Sequence, residues 1–110
     1  MQNKLNFSSR GDALVVSLAG EIDHHAARGL RGEIDTQLFA SRPRELVLDF
    51  SGVRFMDSSG VALVIGRADV SRNVGCRVKI TGLSRGLLKL MKLSGIQKIE
   101  NLTIEQVTER

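Results

Sequence analysis

The sequence alternates short β-type apolar runs with longer segments of helical periodicity, and this order limits the fold more than any other feature. The apolar runs cover residues 14–19, 46–50 and 76–81. In the segments after them, apolar residues recur at the spacing of one helix face. Such alternation is typical of a sheet with parallel strands and helices packed on it. We therefore predict an α/β fold with four to five strands and about four helices.

The first third of the chain predicts a hairpin followed by a helix. Gly11-Asp12 is a turn signal, so residues near 5–9 are expected to pair with the strand at 14–19. Asp23 is suited to cap a helix that the only proline, Pro43, ends. The apolar positions that recur at helical spacing are Ala26, Ala27, Leu30, Ile34, Leu38 and Phe39.

The second half predicts two more strand–helix pairs. Ser51-Gly52 predicts a turn after the buried strand at 46–50. The segment from 60 to 66 is apolar on every side, which indicates a deeply packed helix. Its β-branched residues leave a strand possible, but the Asp-Ser-Ser start and the polar tail at 67–73 favour a helix.

After the strand at 76–81, the pattern indicates another helix with Gly95 as the residue just beyond its end. Residues 96–103 offer a last edge strand or a turn, and residues 104–110 a frayed or helical tail.

Length and composition place the chain among compact globular proteins. Its 110 residues suffice for one domain, which we expect to span 1–110, and 42% of them are hydrophobic. No apolar run could cross a bilayer, and the N-terminus lacks the apolar core of a signal peptide. Cys76 is the only cysteine and is expected to be a small buried hydrophobe. These features predict a cytoplasmic protein with no membrane association.

The net charge of +4 does not by itself indicate a nucleic-acid-binding protein. Lys and Arg total 16 against 12 Asp and Glu, but the arginines are scattered along the chain. Only four Phe are present to stack on bases. We predict a solvated surface of mixed charge, no direct nucleic-acid binding, and a bias toward acidic partners.

The sequence offers no self-sufficient catalytic site. "MDSSG" lacks the first glycine of a nucleophile elbow, and the only histidines, His24 and His25, face different directions on a helix. They have no third ligand at metal-site spacing, and no Gly-Lys-Ser/Thr phosphate loop is present. We predict that the protein is not an enzyme and holds no metal or cofactor.

Two serines follow an acidic residue where the apolar helix is predicted to begin. A serine at a helix start is most often its cap. However, two serines follow Asp57, and only one side chain is needed as the cap. A spare hydroxyl could accept a phosphoryl group from another protein, and a phosphate at a helix N-terminus is favoured by the helix dipole.

The motifs "GEIDHHAA" at 20–27 and "FMDSSGVALVIGR" at 55–67 resemble the signature regions of STAS-domain anti-sigma factor antagonists. The resemblance runs from about residue 5 to residue 101 and is nearest to the sporulation type that controls sigma F. It implies a soluble domain with a mixed β-sheet flanked by helices. It also implies that Ser58 accepts phosphate, that Ser59 is structural or part of the recognition surface, and that Asp23 contacts a kinase. Asp57 and Gly60 complete the expected partner-binding set.

The resemblance implies a partner-switching role. The unphosphorylated protein would bind an anti-sigma factor that is also a serine kinase, with ATP held by the kinase, and so release a sigma factor. Phosphorylation would end that binding, and a PP2C-type phosphatase would restore it. The alternatives are a STAS protein of a stress-response, stressosome or lipid-transport system, and an autonomous serine-dependent or nucleotide hydrolase.

Overall fold

Five strands form one mixed sheet in the computed structural model, which describes residues 4–105. The strands lie in chain order across the sheet: β1 (Lys4–Arg10), β2 (Ala13–Ile22), β3 (Glu45–Met56), β4 (Arg77–Thr81) and β5 (Leu102–Ile104). Strands β1 and β2 are antiparallel, and all other neighbours are parallel. This arrangement confirms the predicted α/β class and the N-terminal hairpin.

Each parallel connection carries a helix, as the sequence pattern requires. The helices are α1 (His24–Ser41), α2 (Ser58–Asn73) and α3 (Arg85–Leu93), and a short 3-10 helix covers Ile96–Lys98. Three α-helices lie within residues 4–105, and the predicted helical tail falls mostly outside the described residues. Because consecutive parallel strands end at the same edge of the sheet, the loops that lead into α1 and α2 lie side by side.

One face of the sheet and the inner faces of the helices form the core. Along β2 the buried residues alternate with half-buried ones, which is the pattern of a strand with one covered face. Fully buried side chains come from the sheet and from all three α-helices, and include Val16, Ile22, Ile34, Leu38, Leu48, Phe50, Val64, Ile80 and Met91.

The predicted turn at Ser51-Gly52 is wrong, because β3 continues through it to Met56. The pairing with β2 shifts there, from Ser17 opposite Asp49 to Ala19 opposite Gly52. This irregularity is a bulge, which inserts an extra residue without ending the strand. A Cβ on Gly52 would lie 2.8 Å from the Ala19 Cβ and 2.9 Å from the Leu18 carbonyl oxygen. The glycine is needed for close backbone approach rather than for a turn.

Helix α2 is confirmed as a helix but is not buried on every side. Gly60, Val61 and Val64 face the core, whereas Ala62 and Ile65 face solvent. A helix laid on one side of a sheet keeps an outer face, whatever its composition. Phe39, expected on the inner face of α1, is also exposed.

The end of the chain follows the prediction in part. Gly95 takes a left-handed conformation directly after α3, as predicted. The segment after the 3-10 helix forms β5, so the edge-strand alternative is confirmed. Ile104 belongs to β5, and the remainder of the predicted tail beyond residue 105 lies outside the described residues. No helix within residues 4–105 is both long and apolar enough to span a membrane.

Candidate functional site

The carboxyl ends of β2 and β3 bring the two predicted signature segments together. Ile22 and Met56 are Cα partners at the ends of these parallel strands. The Asp57 backbone N–H donates to the Ile22 carbonyl oxygen at 3.3 Å. Asp23 and Asp57 therefore follow neighbouring strand ends at one edge of the sheet.

Both aspartates cap the helices that they precede. The Asp23 Oδ1 accepts from the Ala26 N–H at 2.9 Å, and the Asp57 Oδ1 accepts from the Ser59 N–H at 2.8 Å. Each aspartate is extended, as an N-cap residue must be. The cap of α2 is thus Asp57, and the interpretation of a serine as the cap is wrong.

Ser58 is the first residue of α2, and its side chain is exposed. Since Asp57 makes the cap, the helix does not need the Ser58 hydroxyl for its N-terminus. Ser59 is half-buried beside it. The two adjacent serines therefore differ in access, and Ser58 is the one open to another protein.

Gly60 fixes the first turn of α2 against the end of β3. The residue is buried, and a Cβ in its place would collide with the Cγ and Sδ of Met56. The absence of a side chain lets the helix backbone approach the strand. The exposed serine is consequently carried on a tightly packed turn.

Phe55, three residues before Ser58, and Ile65, about two turns after it on α2, are exposed apolar side chains whose exposure the sequence pattern did not predict. Phe55 is 53% exposed at the end of β3, and Ile65 is 41% exposed on the outer face of α2. The bulge in β3 disturbs the alternation of inward and outward positions, so the strand period gave no reliable signal for Phe55. Large apolar side chains beside a polar site are typical of protein-binding surfaces.

A second feature, a groove of ≈ 240 Å³, separates α1 from α2. Its charged lining comes from Arg28 and Arg31 on α1 and Arg67 on α2, with His24 and Ser59 at the end near Ser58. The sequence pattern did not predict this groove. The available signal was Arg67, which falls on the buried face of α2 at helical spacing from Gly60 and Val64.

Arg67 is a buried cation between the two helices. Its side chain is 4% exposed, and its Nε lies 2.7 Å from the Asp35 Oδ1. Burial lowers the pKa of Arg67, Asp35 opposes that shift, and the nearby positive charge of Arg31 adds to it. The guanidinium remains charged, because arginine is effectively always protonated in proteins.

Within residues 4–105, no group of three or more His, Cys, Asp or Glu side chains is arranged to hold a metal ion. His24 and His25 are exposed in the first turn of α1. Cys76 is buried and free.

Comparisons with known proteins agree with this architecture. A family model described as "Mlab, STAS domain" matches residues 5–104. An anti-sigma F factor antagonist of Lysinibacillus sphaericus is 33% identical over 100 residues, which cover 90% of this chain and 86% of the relative.

Two solved structures of the anti-sigma factor antagonist SpoIIAA are also similar. The unphosphorylated form is 29% identical with a TM-score of 0.71, and the match covers 97% of this chain and 90% of that chain. The phosphorylated form, from Bacillus, is 29% identical with a TM-score of 0.70, and the match covers 94% of this chain and 92% of that chain. A fold of this kind has thus been solved in both phosphorylation states.

Proposed function

This chain belongs to the STAS-domain family, and from that premise we propose that it is an anti-sigma factor antagonist switched by phosphorylation of Ser58. The unphosphorylated protein binds an anti-sigma factor that is also a serine kinase, and the bound anti-sigma factor releases its sigma factor. The observation that carries the proposal is the exposed Ser58 hydroxyl at the start of α2, beside a carboxylate that already caps the helix.

The partner-binding surface consists of the two aligned helix starts. Asp23 is exposed at the start of α1, and Ser58 is exposed at the start of α2. Ser59 and Gly60 belong to the first turn of α2, and the Asp57 carboxylate holds that turn through the Ser59 N–H. The exposed Phe55 adds apolar area beside these polar groups. Such a mixture suits a protein partner better than a small substrate.

Phosphorylation changes this surface without needing to change the fold. The Ser58 oxygen attacks the γ-phosphorus of ATP held by the kinase and forms an O–P bond. The bond between that phosphorus and the bridging oxygen of ADP breaks, ADP leaves, and the hydroxyl proton passes to solvent. A PP2C-type phosphatase reverses the modification by hydrolysis. The new group carries about −1.5 to −2 charges. The dipole of α2 favours that charge and Asp57 repels it, while a partner surface formed against a neutral hydroxyl excludes it.

The protein itself supplies no catalysis in this scheme. Anti-sigma factor antagonists of the family act by binding. His24 and Ser59 line the same groove, but no hydrogen bond joins their side chains in the described part of the chain. Purified protein should therefore not hydrolyse esters, phosphate monoesters or nucleotides. A hydrolysis rate that Ser58→Ala abolishes would contradict this.

The proposal is tested by phosphorylation with the serine-kinase anti-sigma factors of the source organism. We expect one of them, with ATP, to add a single phosphate, which fragmentation mass spectrometry places on Ser58. Ser58→Ala should remain folded and accept none, and the matched variant Ser59→Ala should still be modified. Phosphate on Ser59 alone, or no phosphate from any of these kinases, would refute the assignment.

A further inference from the structure

The groove between α1 and α2 carries an excess of positive charge that the proposed phosphorylation switch does not use. Its lining includes three arginines, Arg28, Arg31 and Arg67, and no carboxylate from the described residues. Arg28 and Arg31 are exposed, and neither forms an ion pair within residues 4–105. Three arginines therefore line one groove whose lining holds no carboxylate from the described residues.

Arg67 supplies an independent observation, because its guanidinium is buried and incompletely satisfied. Its Nη1 has no hydrogen-bond partner in the part of the chain that the structure describes. Its Nε contacts Asp35 at 2.7 Å, but the angles of that contact are outside those of a hydrogen bond. A buried donor without a partner is destabilising, and more so when the group is charged. Arg67 lines the groove, so an anion placed there lies next to this guanidinium, although its Nε and Nη1 are themselves covered.

Asp35 alone does not neutralise this cluster. Arg31 lies close enough to Arg67 to contribute to lowering its pKa, after the larger effect of burial. Two guanidinium groups that repel each other across a groove are both stabilised by an anion placed between them. Guanidinium groups bind planar or tetrahedral oxygen clusters with charge-assisted hydrogen bonds, often in pairs.

We propose that the α1–α2 groove is a binding site for a small oxyanion, a carboxylate or phosphate group, distinct from the phosphoacceptor Ser58. Arg67 holds the anion from the floor of the groove, and Arg31 and Arg28 hold it from the rim. The cavity of ≈ 240 Å³ has room for either group and for the atoms that carry it. The site does not depend on Ser58 modification, since its cationic groups are in place in the unmodified chain.

The site can be tested on the full chain with two probes, inorganic phosphate and acetate, at constant ionic strength maintained with chloride. We expect saturable chemical-shift changes at the backbone amides of Arg28, Arg31 and Arg67 and at the Arg67 Nε–H signal. Tighter binding of phosphate identifies a phosphate-type ligand, and tighter binding of acetate identifies a carboxylate. Equal binding leaves both as ligands of the same site.

Two arginine variants make the result specific. Arg31→Gln should weaken binding at least about fivefold, as expected for loss of one of the converging charges. Arg72→Gln is the matched control, because Arg72 is exposed on the same helix and pairs with Asp69; it should bind as the unaltered chain does. If Arg67→Met folds, it should abolish saturable anion binding. If it does not fold, the affinity of Arg31→Gln alone tests the site.

Three outcomes would overturn the site. The first is a shift that stays linear in anion concentration or is reproduced by chloride alone. The second is a response confined to the amides of residues 58–60, which would be the helix N-terminus only. The third is an equal loss of affinity in Arg31→Gln and Arg72→Gln, which would be a general effect of net charge.

Discussion

At the scale of single residues, Cys76 shows how burial controls chemistry. Its side chain is 2% exposed, and burial raises the pKa of the thiol. A thiol that is both shielded and protonated is a poor nucleophile. We expect iodoacetamide to label Cys76 at least about tenfold more slowly in the native chain than in urea. Mass spectrometry of timed samples measures the two rates, and equal rates would show that the thiol is accessible.

Asp23 carries two proposed roles that a pair of substitutions can separate. Asp23→Ala removes both the cap and the charge, and should cost about 0.5–2 kcal/mol of stability. Asp23→Ser keeps a capping oxygen for the Ala26 N–H and removes only the charge. If Asp23 contacts the kinase through its charge, both variants should bind more weakly while only Asp23→Ala melts earlier. Full affinity of Asp23→Ser would limit Asp23 to capping α1.

Residue-level features were predictable where a local rule decides them. Asp23 as a cap, Gly95 after a helix and Cys76 as a buried thiol all follow from local chemistry. The Arg67–Asp35 ion pair could not be predicted from local chemistry, because it depends on how α1 and α2 cross. The same dependence hid the groove that Arg67 lines.

At the scale of elements, two glycines of α2 test how the helix meets the sheet. Gly60→Ala places a methyl group against Met56 and should destabilise the protein by about 1–3 kcal/mol. Gly66→Ala meets nothing within 4 Å and should stabilise it by about 0.5–1 kcal/mol, because alanine loses less backbone entropy in a helix. Urea denaturation of both variants measures the difference. Similar effects of the two substitutions would contradict the tight contact at Gly60.

Most helices and strands were predictable, because apolar residues recur with a different period in a helix than in a strand. Strand β4 and helix α3 follow alternation and helical spacing closely. The full length of strand β3 was not predictable in this way. Ser51-Gly52 forms a bulge against β2, and a glycine is needed there because Ala19 on β2 lies too close for a side chain. The local turn signal contains no information about that contact. Because β3 was predicted to end too early, the exposure of Phe55 was not predicted either.

At the scale of the whole molecule, the fold separates stability from regulation. The core lies between one sheet face and three helices, whereas Ser58 lies at the edge of the sheet where the strands end. Most of the free energy of folding therefore comes from groups that a modification of Ser58 does not touch. This separation allows the surface to change charge while the chain stays folded.

We expect Ser58→Asp to keep the fold and to lose affinity for the anti-sigma factor kinase. Helix α2 is held by buried contacts along its length, and a negative charge at its first turn interacts favourably with the helix dipole. Stability should therefore stay within about 1 kcal/mol of the unaltered chain. A cost of about 4 kcal/mol for burying phosphate against an unprepared partner surface would weaken binding about a thousandfold.

Aspartate should reproduce only part of that loss, because it carries about half the charge of phosphate and fewer oxygens. Ser9→Asp is the matched control, since the exposed Ser9 pairs with Leu14 near the opposite end of β2. Circular dichroism, the thermal midpoint and the dissociation constant are compared for unaltered, Ser58→Asp, Ser9→Asp and phosphorylated protein. Ser9→Asp should bind normally, because its charge lies away from the partner surface. Loss of secondary structure on phosphorylation would instead show that the modification acts by unfolding the protein. Unchanged affinity of the phosphorylated chain would show that Ser58 does not lie in the binding interface.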